Sequence, residues 1–294
     1  MAIGFPTFGV FYGVIYGGIL TFAYLFVRMH GHDGGLALFA AAAACGWFLH
    51  LLIWPKHTLQ GLLQPKMLLR GLLFGLTQVF IFKVQKAGLT SAALVSSTMG
   101  SVFGVLLGRI YLKEKLKGLS FGALGFSLAA VFINPALILS SYLGVIGGFI
   151  QGTGFVLARS LMLEAQSVRQ SIATGFFVSV LVAGVALLAS GEAVQVLSVL
   201  PHDLFVTLLL VLTIQYAFFY LFRVLDAPRA SMLTLSRIPW AVCLEWAILG
   251  VLAKPTQWAA AGLVGASSVL LILESRKGAL AAAAVACRKG GNPS

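Results

Sequence analysis

The sequence predicts an all-α membrane protein whose ten transmembrane helices form two inverted five-helix repeats. Three observations predict this fold class. Of the 294 residues, 60% are hydrophobic and only 10% are charged, which is too much apolar surface for a water-soluble domain. The apolar residues fall into separate segments of spanning length, and the two halves of the chain share a pattern of polar and glycine residues.

A helix needs roughly 20 mostly apolar residues to cross a bilayer. Proline, glycine and charged residues divide the chain into ten such segments, which are approximately 5–27, 36–54, 68–83, 91–111, 116–133, 140–162, 172–189, 204–225, 230–252 and 257–273. The connections are too short for a soluble domain, although residues 55–66 have room for a small interfacial helix. Residues 279–294 are predicted to form a cytoplasmic tail, in which residues 279–287 are apolar but too short to span and residues 288–292 are loose.

Basic residues are concentrated on the cytoplasmic side of membrane proteins. With both termini inside, fifteen lysine and arginine residues, Arg70 among them, fall on the cytoplasmic side and four on the other. The sequence therefore predicts N-in, C-in topology in the inner (plasma) membrane. This asymmetry explains the net charge of +12 without a nucleic-acid partner.

A shift of 140 residues aligns the two halves, 1–138 and 139–278. It pairs Lys83 with Arg223, Ser91 with Ser231, Ser96 with Ser236, Gly122 with Gly262 and Gly125 with Gly265. Because each repeat holds an odd number of helices, equivalent helices run in opposite directions. Inverted repeats are typical of secondary transporters, which bind substrate near the membrane midplane between the halves.

Residues 92–103 and 106–116 resemble the fourth-helix signature of the EamA-type drug/metabolite transporter superfamily, and residues 231–252 resemble its second copy. Two positions depart from the family pattern. The mid-helix proline is missing at Met99-Gly100 but is present as Pro239, and the acidic corner residue is Glu114 in the first copy but Lys254 in the second. The resemblance implies a 5+5 helix transporter whose first, third, fourth, sixth, eighth and ninth helices line a central cavity.

Polar side chains inside a membrane are costly, so each is a candidate functional residue. Gln78, Gln151 and Gln215 lie near the middle of the third, sixth and eighth spans, and Tyr12 and Tyr16 share one face of the first. Hydrogen bonding between helices is the competing interpretation. The common depth of these residues, on helices that the resemblance assigns to the cavity, favours a substrate-binding site.

The ninth span adds Arg237, Trp240 and Glu245. Arg237 is a candidate for binding an anionic group, with snorkelling toward the interface as the alternative. Trp240 is a candidate for stacking on substrate, with packing as the alternative. Glu245 is a candidate for proton coupling, with a structural carboxylate as the alternative. Lys83 and Arg223 are equivalent by the repeat and are candidate gates at opposite membrane faces.

Glycines recur at every fourth position in four helices, which predicts close helix packing. These runs are Gly9-Gly13-Gly17, Gly71-Gly75, Gly100-Gly104-Gly108 and Gly144-Gly148-Gly152. The three cysteines, Cys45, Cys243 and Cys287, include no CxxC pair, so neither a disulfide framework nor a metal site is expected.

Taken together, these features predict a secondary transporter of small metabolites, an exporter of amino-acid-like or other small polar or amphipathic solutes, working by alternating access. The expected partners are the solute and the lipid bilayer, with no cofactor, in a monomer or homodimer. A nucleotide-sugar or sugar-phosphate exchanger of the same fold is the alternative. An intramembrane lipid-modifying enzyme and a membrane scaffold are alternatives from other classes. Enzyme motifs are missing from the sequence, and its five histidines lie near interfaces or loops.

Overall fold

The computed structural model describes residues 5–30, 35–86, 90–116, 118–133, 141–250 and 252–290. Within these ranges the protein is helical and contains no β-strand. The helices are α1 (Phe5–His30), α2 (Gly35–Ile53), α3 (Pro55–Gly61), α4 (Pro65–Lys86), α5 (Thr90–Tyr111), α6 (Leu119–Phe132), α7 (Ser141–Leu163), α8 (Val168–Ala189), α9 (Pro201–Val224), α10 (Ala227–Leu233), α11 (Arg237–Leu249) and α12 (Pro255–Gly290).

Eight apolar helical stretches in the described ranges are long enough to cross a membrane. Two further stretches, Met99–Tyr111 and Leu119–Ala130, are apolar but shorter. Lipid cannot form hydrogen bonds with backbone groups, whereas a helix satisfies its own. An all-helical fold therefore suits these segments. The length and composition of the helices define a multi-pass membrane protein.

The ninth predicted span, 230–252, corresponds to one apolar stretch of spanning length, Ala227–Leu249, whose α-helix is interrupted near its middle. A 3-10 turn, Thr234–Ser236, separates α10 from α11. Pro239 is the third residue of α11, where a helix needs no backbone donor. The proline cannot continue the hydrogen-bond ladder of α10, because it lacks an N–H and its ring clashes with the carbonyl four residues earlier.

Two connecting and terminal segments are also helical. Helix α3 occupies the connection in which the sequence predicts a small interfacial helix. Helix α12 continues to Gly290, so residues 279–287 extend the last helix, and residues 288–290 are helical where the sequence predicts a loose segment. Residues 291–294 of the predicted tail lie outside the described residues.

The predicted glycine runs lie where helices meet most closely. A Cβ atom added at Gly152 of α7 would lie 2.5 Å from Phe103 Cβ and 2.8 Å from Gly104 N in α5. One added at Gly148 would lie 2.5 Å from Met99 Cβ. Only glycine lets the two backbones approach this closely. The structure thus confirms close packing at these positions of the α5–α7 pair.

Contacts made by helices of the first half recur for the helices at equivalent positions of the second half. Helix α1 packs against α9 and α11, and α7 packs against α4 and α5 in the same manner. Helices α2 and α9 form a pair, as do α8 and α4, while α6 packs against α12. The result is a bundle in which α1, α4, α7 and α9 approach one another, and these four helices position the site described below.

Substituting Gly152 tests the close packing of α5 and α7. Gly152→Ala places a methyl group within 2.5 Å of Phe103 Cβ, and overpacking of this kind costs about 1–3 kcal/mol. We expect the Tm of the purified protein in detergent to fall by several degrees. Gly184→Ala in α8 is the matched control, because its new methyl group meets nothing within 4 Å. An equal Tm for both variants would contradict the packing account.

Candidate functional site

A cavity lies between α1, α4, α7 and α9, with a water-accessible volume of about 60 Å³. This volume exceeds the space that one water molecule needs and is compatible with a small organic solute. Its polar lining residues are Tyr16, Tyr24, Arg70, Thr77, Gln78, Gln151 and Gln215. The cavity therefore brings together four of the residues that the sequence predicts for a substrate site: Tyr16 and the three glutamines.

Apolar side chains form the rest of the wall. Leu20, Leu73 and Ile214 contribute aliphatic surface, while Phe74, Phe155 and Phe218 contribute rings. Phe155 and Phe218 pack together with ring centroids 5.6 Å apart. A mostly apolar wall with a few polar groups is the usual composition of a small-molecule site.

Arg70 is the charged residue of this lining. Its Nη2 donates a 2.7 Å hydrogen bond to Gln215 Oε1, which joins α4 to α9. The guanidinium carbon lies 4.5 Å from the ring centroid of Phe219 and 5.1 Å from that of Phe74, distances typical of cation–π contacts. The side chain is buried, with 3% of the residue exposed. Gln215 is thus both a cavity residue and the hydrogen-bond acceptor for a buried cation.

Arg70, which the sequence analysis counts among the cytoplasmic basic residues, is buried between helices. Its position inside the third predicted span, 68–83, is the sequence signal for this burial. Gly175 of α8 gives the guanidinium room, since a Cβ atom added there would lie 2.7 Å from Arg70 Nη1. Nη1 itself is buried and has no hydrogen-bond partner among the described residues.

Gln151 projects from α7 against a glycine of α5. A Cβ atom added at Gly100 would lie 2.6 Å from Gln151 Oε1, so the glycine makes room for the amide. Gly100 is part of the Met99-Gly100 pair, where the family pattern has a proline. Gln151 Oε1 is buried without a hydrogen-bond partner within the described ranges.

The structure places three other predicted substrate residues outside the cavity lining. Tyr12 packs on Tyr220, with ring centroids 4.8 Å apart. Trp240 donates a 2.9 Å hydrogen bond from Nε1 to the backbone oxygen of Val14. Arg237 is buried, and in the described part of the protein its guanidinium nitrogens have no hydrogen-bond partner. Its backbone oxygen accepts a 3.2 Å hydrogen bond from Thr21 Oγ1, which joins α11 to α1.

Glu245, the predicted proton-coupling residue, is half-buried on α11 and does not belong to the cavity lining. The cavity is built from α1, α4, α7 and α9, while α11 packs against α1 and α12. Any coupling by Glu245 to a solute in the cavity would therefore pass through α1.

Lys83, one of the two candidate gate residues, links α4 to the segment that follows α8. Lys83 forms a 2.8 Å ion pair with Glu192 and a 2.7 Å hydrogen bond to Ser190 Oγ, which links α4 to the end of α8. Arg223, its repeat equivalent, has an exposed side chain, and only its backbone oxygen contacts Arg159, at 3.4 Å. The two candidate gates therefore make different contacts.

A second set of charged contacts lies at the ends of α5 and α7. Arg159 Nε donates to Glu114 Oε1 at 2.8 Å, and Glu114 Oε2 accepts a 2.7 Å bond from the backbone N–H of Ala227. These bonds join the ends of α5 and α7 to the start of α10. Lys66, near the start of α4, pairs with Glu164.

Two carboxyl groups outside the spanning segments have shifted pKa values. Hydrogen bonds from Lys66 and then Ser160 lower the pKa of Glu164, because both stabilise its charged form. Burial raises the pKa of Asp226, and the nearby charge of Arg229 opposes this. Asp226 also caps α10 by accepting a 2.9 Å hydrogen bond from the backbone N–H of Arg229.

Comparison with solved structures finds the same arrangement of helices elsewhere. One of these, described as the crystal structure of a protein, has a TM-score of 0.66 and 14% sequence identity. The alignment covers 92% of this chain and 98% of the other. At this identity the likeness concerns the fold alone. Neither protein-family models nor curated protein sequences give a match.

Substituting Gln215 tests the Arg70 contact. Gln215→Leu removes the acceptor 2.7 Å from Nη2, and a buried charged group left unpaired costs about 1–3 kcal/mol or more. Gln215→Glu keeps an acceptor there and adds a countercharge. We expect Gln215→Leu to lower the Tm of the ligand-free protein and Gln215→Glu to retain or raise it. If Gln215→Leu were as stable as Gln215→Glu, the contact would carry no stabilisation.

Proposed function

We propose that this protein is a secondary transporter of small metabolites, with an EamA-like fold, that works by alternating access. The observation that carries the proposal is the cavity between α1, α4, α7 and α9, which is lined by helices from both halves of the chain. Its polar groups lie inside an apolar bundle, where they are costly unless they serve a function. A transporter needs such a binding site between two halves that move against each other.

The inverted repeat is part of this proposal, and the matching helix contacts support it. Each half has a short helix between its second and third long helices, α3 in the first and the 3-10 helix Ala193–Ser198 in the second. Ser127 and Ser267 are 140 residues apart, the repeat spacing, and their hydroxyl oxygens lie 2.9 Å apart. Equivalent residues that contact each other lie near a two-fold axis, so this pair favours symmetry-related halves.

In the proposed topology, the chain crosses the inner (plasma) membrane ten times, and both termini lie in the cytoplasm. The two shorter apolar stretches belong to α5 and α6, and α10 with α11 counts as one interrupted span. Interrupted helices are common in transporters, where the break lines or adjoins the solute pathway. Export as the direction of transport follows from the family resemblance.

Two charged contacts between helical segments are the proposed gates. Lys83 with Glu192 links α4 to the end of α8, and Arg159 with Glu114 links α7 to the segment after α5. Alternating access requires each contact to open in turn while the other stays closed. In this scheme Lys83 retains its predicted gating role, while Arg159 takes the role that the repeat predicts for Arg223.

A small cavity favours small solutes over the alternative substrates of the same fold. A nucleotide-sugar also carries two phosphates, which call for several basic side chains, whereas the described lining contains one, Arg70. A solute with few heavy atoms fits without rearrangement of the four helices.

Transport by purified protein in liposomes tests the proposed function. Vesicles loaded with a mixture of small metabolites, including organic acids and amino acids, are diluted into isotope-labelled solute, and counterflow is measured. We expect saturable exchange of at least one solute. Gly154→Phe is the matched variant, because Gly154 lines the cavity. A Cβ atom added at Gly154 would lie 3.8 Å from Leu73 Cβ, so there is room for a side chain, and a phenylalanine there fills the cavity. No exchange across the panel by correctly folded protein would contradict the proposal.

Glu245→Gln tests the proton-coupling role. Removing the titratable group should abolish the dependence of solute accumulation on a pH gradient while leaving counterflow exchange intact, since exchange needs no net proton movement. The measurement compares gradient-driven uptake with counterflow in the same vesicles. Unchanged pH-driven uptake in the variant would assign coupling to another group or to none.

A further inference from the structure

The acidic residues of the chain are almost fully accounted for by contacts at the helix ends. The sequence has eight. Six of them lie within ion-pair distance of basic or histidine side chains: Glu114, Glu164, Glu192, Asp203, Asp226 and Glu274. Asp33 lies outside the described residues, and Glu245 is on α11. The interior around the cavity is therefore supplied with few negative charges.

Arg70 is a buried positive charge without a carboxylate partner among the described residues. Its contacts are the neutral amide of Gln215 and the faces of aromatic rings, which include Phe74 and Phe219. These groups stabilise the guanidinium but do not neutralise it. Burying an uncompensated charge is unfavourable, so the empty cavity leaves Arg70 in an environment that an anion would improve.

The cavity lining supplies no negative charge to a solute. Its described members are apolar residues, one glycine, the neutral hydroxyl and amide groups, and Arg70. A carboxylate placed there gains a charge-assisted hydrogen bond or ion pair with the guanidinium. An ammonium group would meet only neutral acceptors and would be repelled by Arg70. The lining thus discriminates by charge against amines and, less strongly, against zwitterions.

The remaining wall fits an apolar tail. Leu20, Leu73 and Ile214 lie with Phe155 and Phe218 around the same cavity. The water-accessible volume of about 60 Å³ limits that tail to a few carbon atoms. Charge, apolar wall and size together describe one class of solute.

We infer that the cavity binds a small organic acid, with its carboxylate on Arg70, its short apolar chain against the aromatic wall, and no ammonium group. This inference deepens the proposed transport function, because it names the solute class of the same site. It narrows the amino-acid-like or other small polar or amphipathic solute that the sequence predicts to a net anion.

Four probes that share a 3-methylbutyl chain test this selectivity: isocaproate, leucine, isocaproamide and isoamylamine. The first has a carboxylate alone, the second adds an ammonium, the third is neutral, and the fourth has only an amine. We expect isocaproate to raise the Tm of the detergent-solubilised protein and to bind at least tenfold more tightly than leucine, because bound ligand stabilises the native state. The amide and amine should give no shift. Equal or stronger binding of leucine or isoamylamine would overturn the inference.

Variants of Arg70 and its neighbour locate the carboxylate. Arg70→Gln should abolish the preference for isocaproate over isocaproamide, and Arg70→Lys should retain part of it. If Arg70→Gln folds poorly, Gly175→Ala gives a second test, because its Cβ atom would lie 2.7 Å from Nη1 and displace the guanidinium. It should weaken isocaproate binding, whereas Gly184→Ala in the same helix should not. A preference that survives Arg70→Gln but is lost in Arg237→Gln would assign the carboxylate to the other buried arginine and overturn the inference.

Flux measurements separate this inference from the proposed function. Arg70-dependent binding of isocaproate without any solute exchange in liposomes would contradict transport and leave the binding site standing. Exchange of leucine or isoamylamine at a rate that Arg70→Gln does not change would leave transport standing and contradict the organic-acid site.

Discussion

Removing a charge from water is costly, and the protein buries two arginine side chains, Arg70 and Arg237, of which Arg70 lines the cavity. Desolvation of an ion costs several kcal/mol even after the surroundings relax. The structure offsets part of it with one amide acceptor, Gln215, and with aromatic faces. Gly175 leaves the space that the guanidinium occupies. The low dielectric that makes the charge costly also strengthens its interaction with any anion that enters the cavity.

Close helix contacts surround this polar centre. Glycines on α5 and α7 bring two backbones together without large side chains between them. Two ion pairs join helical segments elsewhere, Lys83 with Glu192 and Arg159 with Glu114, and both are largely shielded from water. The proposed alternating access requires each of these ion pairs to open in one of two conformations of similar energy.

The sequence predicts the glutamines of the cavity because amide side chains stand out within apolar segments, whatever the fold. The positions of Tyr12 and Trp240 were harder to predict, since they depend on the rotation of helices that are apolar on all sides. Arg70 was missed for a different reason. A basic residue near the end of a span can snorkel to the interface or turn inward, and only the position of Gln215 on another helix decides between the two.

The interruption of the ninth span shows which features of a helix can be predicted from local sequence and which cannot. Pro239 indicates that the helix is interrupted, but the 3-10 geometry of Thr234–Ser236 depends on packing against α1, where Gly17 lies close to Ser236. Helix existence was therefore predictable from composition, because lipid requires it. Among the residues that line the cavity, only the polar ones were predictable, because a polar side chain inside a membrane seldom faces lipid.

The most direct test of the account is whether one cavity position reaches both sides of the membrane in turn. A single cysteine at position 154, in protein whose Cys45, Cys243 and Cys287 are replaced by serine, places a thiol in the cavity lining. A membrane-impermeant thiol reagent is then added to one side or the other of sealed vesicles. Alternating access predicts labelling from each side and protection by bound solute. Labelling from one side only, or labelling that bound solute does not reduce, would contradict a transport pathway through this cavity.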